Sequence, residues 1–214
     1  MKIEYDKYWS MKSINSSMPQ PKVIDLWYKS ITTSPLGVLI QQKLCSSKKI
    51  LDFGAGDKKW KSITPKKSIY KSLDINNESD HDYHSIDQIN ETFDSILFMD
   101  VLEHIELNEG LRLSLNLIDL LDKNGFLLIQ TPNGKCIRNH LGSDMTHKQL
   151  YNLRDLYSFF KSRGFEVDCY RVNVFANKLS VFAKIKHFIS AFIITRIIGA
   201  DYTDNIFLSV QKSQ

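Results

Sequence analysis

Residues 49–56 read Lys-Ile-Leu-Asp-Phe-Gly-Ala-Gly. An apolar run that breaks into a Gly-x-Gly turn is typical of the first strand of a nucleoside-binding α/β sheet, because the glycines let the backbone approach the ligand closely. A second apolar run, at 69–74, ends in Asp74. A carboxylate at the end of that strand can accept hydrogen bonds from two ribose hydroxyls. The two segments together predict a nucleoside site at the carboxyl edge of a mostly parallel sheet.

Four further segments follow in order. Residues 93–105 read Phe-Asp-Ser-Ile-Leu-Phe-Met-Asp-Val-Leu-Glu-His-Ile, and 120–129 read Leu-Leu-Asp-Lys-Asn-Gly-Phe-Leu-Leu-Ile before a Thr-Pro-Asn turn. Thr-His-Lys-Gln-Leu-Tyr stands at 146–151 and Ser-Arg-Gly-Phe-Glu-Val at 162–167. With these segments the chain resembles the class I S-adenosylmethionine-dependent methyltransferases, especially small bacterial members whose fourth strand runs into Asp-Val-Leu-Glu-His-Ile.

The resemblance extends over about residues 45–171 and returns at 205–212. It implies a Rossmann-like α/β fold with a mostly parallel sheet, helices on both faces and an antiparallel last strand. It also implies that the chain is an enzyme and that S-adenosyl-L-methionine is its cofactor. We expect a single domain over 1–214, with 1–47 as an N-terminal helical cap and 173–203 as an apolar helical insertion before the last strand.

The apolar patterns predict the elements of this fold. The predicted strands are 49–53, 69–74, a short one at 82–86, 94–99, 126–131, 166–172 and 205–212. The predicted helices are 22–31, 36–45, one that stops with a glycine signal at Lys123-Asn124-Gly125, and one over 153–163 with Asn152 as N-cap.

The glycine turn departs from the dinucleotide-binding pattern. A pyrophosphate favours a third glycine at position 59 and a well-formed helix N-terminus, whereas this chain has Lys59 there and Pro65 soon after. The first crossover helix is therefore expected to be short or irregular. Position 58 is occupied by Lys58, where methyltransferases often have another small residue. S-adenosylmethionine carries no phosphate, so the turn favours it over a nicotinamide dinucleotide.

By the resemblance, Gly54, Gly56 and Asp74 hold the cofactor, with Asp74 as the ribose clamp. Asp52 is expected to orient the glycine turn or to meet the methionine ammonium, directly or through water. Its alternative role is that of a turn residue at a strand end.

The remaining cofactor contacts are expected after the third and fourth strands. Ser85 lies where the family places its adenine contacts, and Asp87 is an alternative. The backbone of Asp100 and Val101 leaves strand four at the carboxyl edge, where α/β sheets bind ligands. It is expected to line the methionine half of the cofactor.

Two histidines are candidates for catalysis. Methyl transfer to oxygen needs alignment of the acceptor and removal of one proton, and histidine as a residue type is a base near neutral pH. His147 precedes a predicted helix on the acceptor side and is the preferred base; His140 and Asp144 are secondary candidates in the same loop. His104 and its neighbour Glu103 are the alternative, although capping of the backbone explains both equally well.

The segment 173–203 mixes apolar residues at helical spacing with lysines and arginine. It is expected to cover or border the acceptor pocket as a lid or dimer surface. The alternative is an interfacial amphipathic helix that brings the enzyme to a lipid-linked acceptor. The protein is accordingly predicted to be a monomer or homodimer in the cytoplasm, with peripheral contact at the inner membrane face under the second alternative.

Bulk composition excludes several other classes. The 214 residues are 43% apolar, and 28 basic against 24 acidic residues form no basic run that predicts nucleic acid as a partner. The three cysteines lie far apart, which favours neither a disulfide framework nor a metal-ligand pair. The polar loop containing Asp80, His81, Asp82 and His84 has loose spacing for ligands. No metal is therefore predicted.

The acceptor is less well determined than the donor. By resemblance, the first choice is O-methylation of a sugar hydroxyl in a bacterial surface glycan or its precursor, as part of polysaccharide biosynthesis. A quinone-type or other small phenolic acceptor is the second. A non-catalytic S-adenosylmethionine-binding subunit is the alternative of another class.

Overall fold

The structure is a computed structural model that describes residues 12–13, 16–17, 21–25, 35–76, 78–137, 144–172 and 180–212. Four expectations fall wholly or partly outside these residues: much of the N-terminal cap at 1–47, most of the helix predicted at 22–31, His140, and the first part of the insertion at 173–203.

A seven-stranded sheet forms the centre of the described fold, in the order β1-β6-β7-β5-β4-β2-β3. β7 is antiparallel to β5 and β6, and the other neighbouring pairs are parallel. The predicted Rossmann-like α/β fold with an antiparallel last strand is thus confirmed. The strands are β1 Val23–Asp25, β2 Lys49–Phe53, β3 Ile69–Leu73, β4 Phe93–Met99, β5 Leu121–Pro132, β6 Glu166–Val172 and β7 Asn205–Gln211.

Helices pack on both faces of the sheet. Along β4 the side chains alternate, so that Ile96 and Phe98 face one cluster and Leu97 and Met99 the other. The first cluster includes apolar side chains of two helices, and the second includes those of one. The helices are α1 Pro35–Leu44, α2 Leu107–Asp119, α3 Leu153–Lys161 and α4 Val181–Phe192, and α4 continues as a π-helical turn over Ile193–Ile198.

Local sequence patterns predicted the positions of β2 and α3 well. β2 spans 49–53 as predicted, and the Asn152 side chain caps α3 by accepting a hydrogen bond from the Asp155 N–H. Pro65 and Lys59 predicted a short first crossover, which is a five-residue 3₁₀ helix, Lys59–Ile63.

Three predicted elements were wrong in type or extent. Residues 23–25 form strand β1, paired in parallel with β6, and not part of a helix. The strand predicted at 82–86 is reduced to one bridge between Tyr83 and Leu73, because Ser85 caps a 3₁₀ turn at Ile86–Gln88. Helix α2 ends at Asp119, before the predicted stop at 123–125, since those residues already belong to the irregular start of β5.

Helix α4 and its π-helical turn leave much apolar surface exposed. Among the residues described, no helix combines the length and the apolar character needed to cross a bilayer. The exposed residues include Phe182, with 85% of its surface accessible to solvent, Ile189 with 50%, Ile197 with 71% and Ile198 with 67%.

Candidate active site

A cleft of about 600 Å³ opens at the carboxyl ends of β2, β3 and β4. Its size lies within the usual range of small-molecule sites, and this sheet edge is where α/β proteins bind ligands. The lining residues are Phe53, Gly54, Leu73, Asp74, Ile75, Asp100, Val101, His104, Ile105, Glu109, Arg112, Leu113, Asn116 and Lys148.

The glycine turn is held tightly against β3 and Val101. Gly54 has a φ of 72°, and a Cβ added there would lie 2.3 Å from Val101 Cγ2, so the position requires glycine. The N–H groups of Gly54 and Ala55 both donate to the Leu73 carbonyl. Gly54 and Val101, predicted from separate motifs, therefore meet at the floor of the cleft.

Asp74 lies directly beside this turn. Its Oδ2 accepts a hydrogen bond from the Gly56 N–H at 2.8 Å, and its Oδ1 accepts one from the Asn76 N–H at 3.0 Å. The half-buried carboxylate lines the cleft and retains acceptor capacity, because each carboxylate oxygen has about two lone-pair sites. The predicted ribose clamp is thus positioned next to the glycine turn.

Asp52 is buried behind the turn and does not line the cleft. Its Oδ2 accepts a hydrogen bond from the Tyr70 hydroxyl at 2.5 Å. Burial raises the pKa of the Asp52 carboxyl to about 6, while the bond from Tyr70 and the charge of Lys59 act in the opposite direction. A cation placed near this carboxylate is favoured electrostatically, which is compatible with either predicted role.

Lys59 occupies the position at which a dinucleotide-binding turn has its third glycine. Its ammonium forms an ion pair with Asp100 Oδ2 at 3.2 Å, while Asp100 Oδ1 accepts a hydrogen bond from Gln130 Nε2 at 2.6 Å. Asp100 itself adopts the left-handed region, with a φ of 57°. The turn thus leads into a short 3₁₀ helix stabilised by side chains, and lacks the α-helix N-terminus that binds pyrophosphate.

Ser85 is not among the residues that line the cleft. Its hydroxyl accepts a hydrogen bond from the Asp87 N–H and caps the 3₁₀ turn that follows. Its contact with adenine therefore stays a prediction, and so does that of Asp87.

The structure brings the two candidate catalytic histidines together. The ring centroids of His104 and His147 are 4.9 Å apart, at an angle of 61°. Glu103 lies against both, with only 1% of its surface exposed, and its Oε2 accepts a hydrogen bond from Thr131 Oγ1 at 3.0 Å. Burial raises the pKa of the Glu103 carboxyl to about 7. Of these three residues His104 lines the cleft, and Glu103 and His147 lie beside it outside the lining.

The family follows from a comparison with known proteins. The sequence profile described as a methyltransferase domain matches residues 36–170, from α1 into β6. The chain belongs to this methyltransferase family. A comparison with curated proteins gives no significant match.

Solved structures of methyltransferases share the fold. A structure described as a SAM-dependent methyltransferase from Archaeoglobus fulgidus superposes with a TM-score of 0.58 at 14% identity, over 82% of this chain and 94% of that one. An O-methyltransferase family protein from Burkholderia thailandensis gives 0.55 at 12%, over 100% and 64%. The N-methyltransferase NodS from Bradyrhizobium japonicum, in complex with S-adenosylhomocysteine, gives 0.54 at 9%, over 97% and 98%. The fold is that of the class I S-adenosylmethionine-dependent methyltransferases.

The sequence analysis did not identify one wall of the methyltransferase cleft. Helix α2 contributes four side chains to it, and their i, i+3, i+4 and i+7 spacing places them on one helix face. That spacing was visible in the sequence, but only the packing of α2 shows that this face borders a cleft and not bulk solvent. The four residues are Glu109, Arg112, Leu113 and Asn116.

Proposed function

We propose that this methyltransferase transfers the methyl group of S-adenosylmethionine to a hydroxyl oxygen of a sugar, in a bacterial surface glycan or its precursor. One observation carries the proposal: a single cleft is lined by Gly54 and Asp74 and also by His104, whose ring lies 4.9 Å from that of His147. Donor and acceptor groups can therefore meet within one space.

The residues of the glycine turn fit the cofactor well. Asp74 offers carboxylate lone pairs to the ribose hydroxyls, and the close approach of Gly54 to Val101 keeps the turn free of side-chain bulk. Asp52 supplies negative charge behind the turn for the methionine ammonium. The short 3₁₀ helix at 59–63 offers no phosphate site, and S-adenosylmethionine needs none.

The reaction on this geometry is an in-line displacement. S-adenosylmethionine supplies an electrophilic methyl carbon, so the acceptor oxygen forms the O–C bond while the C–S bond breaks and its electron pair returns to sulfur. The hydroxyl proton passes to His147, and the apolar side chains of Ile105 and Val101 exclude water.

The cleft lining favours a sugar over a quinone-type phenol. Three polar or charged side chains of α2 and Lys148 border the space, and such groups suit a hydroxyl-rich acceptor. A phenolic acceptor is the alternative, and a non-catalytic S-adenosylmethionine-binding subunit is the alternative of another class. An acceptor screen with labelled S-adenosylmethionine separates all three, because the last binds the cofactor and transfers nothing.

Calorimetry tests the cofactor directly. We expect S-adenosylhomocysteine to bind and NAD to give no heat of binding, because the turn after β2 lacks a third glycine and an α-helix N-terminus. NAD binding that is tighter than S-adenosylhomocysteine binding would contradict the proposal.

We further propose that the apolar face of α4 and its π-helical turn lies on an anionic membrane surface. Phe182, Ile189 and Ile197 are exposed, and Lys186 and Arg196 are exposed in the same segment. An amphipathic segment with these features binds in the plane of the lipid interface. This location suits an acceptor that is linked to lipid, and the lid or dimer surface is the alternative.

Vesicle sedimentation tests this surface. The protein should pellet with phosphatidylglycerol-containing vesicles at low salt and be released at high salt, because salt screens the attraction to anionic lipid. The double change Phe182→Asp and Ile197→Asp should abolish pelleting, whereas Val38→Asp, at an exposed valine on α1, should not. Pelleting that is unaffected by the double change, or absent in the unaltered protein, would contradict membrane contact and leave the lid or subunit surface.

A further inference from the structure

We propose that Glu103, His104 and His147 bind one divalent first-row transition-metal ion beside the cofactor cleft. Each residue offers a ligand atom, and these atoms all lie within 4.8 Å of one another. Ligands 2.0–2.2 Å from a common ion are about 3–3.5 Å apart, so small side-chain rotations are enough to close the site. The inference rests on the proposed function, because it assigns the ion to the acceptor side of the same cleft.

The tautomer of His104 suits a metal ligand. Thr146 Oγ1 donates its hydrogen to Asp144 Oδ1 at 2.6 Å and lies 3.0 Å from His104 Nδ1. Because the hydroxyl hydrogen is used by Asp144, Nδ1 must donate to the hydroxyl oxygen. The lone pair of His104 is then on Nε2. Metal-binding histidines are oriented in this way, with the second ring nitrogen donating to an outer partner.

Backbone bonds hold His147 next to the buried carboxylate. The N–H groups of Lys148 and Gln149 both donate to the Glu103 carbonyl, at 2.8 and 3.1 Å. Thr131 occupies one oxygen of the Glu103 carboxylate. The carboxyl also accepts a hydrogen bond from its own backbone N–H, and it keeps lone pairs for a ligand role because each carboxylate oxygen has about two acceptor sites.

The burial of Glu103 favours a cation. Buried carboxylates in proteins are paired with a charge or coordinate a metal. Within the described part of the chain, Glu103 forms no salt bridge with lysine or arginine. An ion bound beside Glu103 would supply the positive partner that keeps this buried carboxylate charged.

The ligand set indicates the kind of ion and its use. Two imidazoles and one carboxylate form catalytic zinc and non-haem iron sites, in which the ion keeps open positions for water or substrate. His104 lines the cleft, so the open positions face the acceptor. An acceptor hydroxyl bound there would lose its proton more readily, and the proton would pass to solvent water. In this arrangement His147 would be a ligand instead of the base described above, and the ion would make the acceptor hydroxyl more acidic.

Cobalt is a suitable probe because its visible absorption reports coordination. Titration of the metal-free full chain with Co²⁺ alone, in a Cys45→Ser background that removes an exposed thiol, should show one bound ion. Glu103→Gln, His104→Ala and His147→Ala should each weaken Co²⁺ binding more than 100-fold. Asp144→Asn, which alters only the outer partner of the site, should weaken it by about 10–100-fold.

His84→Asn is the matched control. His84 belongs to a separate pair, with its ring centroid 6.1 Å from that of His81, and its loss should leave Co²⁺ affinity unchanged. S-adenosylhomocysteine binding, measured in parallel by calorimetry, should persist in the three ligand variants. If Glu103→Gln fails to fold, the two histidine variants at partly exposed positions decide the result.

The possible outcomes test the metal site and the proposed function separately. Absence of Co²⁺ binding with normal S-adenosylhomocysteine binding overturns the metal site and leaves the methyltransferase assignment intact. Unchanged Co²⁺ affinity in His147→Ala overturns the site as proposed and returns His147 to the role of base. Failure of S-adenosylhomocysteine to bind contradicts the proposed function whatever cobalt does.

Discussion

Replacing His147 by alanine is expected to lower the turnover rate by about 10²–10⁴-fold while leaving cofactor affinity unchanged. The residue lies with His104 and Glu103 beside the cleft, and we propose that it takes the hydroxyl proton or holds the ion that acidifies the hydroxyl. Asp74, which contacts Gly56, is a separate residue of the cleft lining. Steady-state rates with labelled donor, together with calorimetry for S-adenosylhomocysteine, measure the two effects separately.

The pH profile distinguishes a chemical role from a structural one. Loss of a proton-accepting or metal-binding group should change the pH dependence of turnover, whereas loss of an orienting group should give a smaller decrease with the same profile. Glu166→Gln is the control. This exposed residue begins β6, at the amino ends of the parallel strands and away from the cleft, and its ion pair among the described residues is with Lys161. Full activity of His147→Ala would transfer the role to His104 or to proximity alone.

Replacing Asp74 by alanine should weaken S-adenosylhomocysteine binding by about 2–4 kcal/mol, because hydrogen bonds to a charged group contribute about 1.5–3 kcal/mol each. This corresponds to about 30- to 1,000-fold in the dissociation constant. The carboxylate also accepts the Gly56 N–H, so its loss releases the glycine turn as well as the ribose. Both consequences act in the same direction on affinity.

Stability and a neighbouring charge provide the controls for Asp74. Folding should survive, because the residue follows β3 at a partly exposed position, and a urea midpoint near that of the unaltered protein would confirm this. Glu78→Ala removes the same charge from an exposed position outside the cleft and should leave affinity unchanged. An unaltered dissociation constant in Asp74→Ala would show that the ribose is held elsewhere.

Part of the fold was predictable because its causes are local. The Gly-x-Gly turn at 54–56 requires backbone conformations that favour glycine, and its position after an apolar run identifies the carboxyl end of a strand. The Asn152 cap and the amphipathic pattern of α3 likewise depend only on a few consecutive residues. Val23-Ile24-Asp25 suits a helix or a strand equally, and its pairing with β6, far along the chain, makes it a strand.

The amino-acid sequence by itself determined the methyltransferase fold and brought Gly54 and Asp74 to one cleft, since a strand, a glycine turn and a carboxylate at the next strand end each depend on short-range geometry. Only the tertiary structure decided how the two histidines are arranged. His104 and His147 stood as alternatives in the sequence, and the folded chain makes them partners around Glu103. The physical reason is that backbone bonds from 148 and 149 to the Glu103 carbonyl join segments that no local pattern relates.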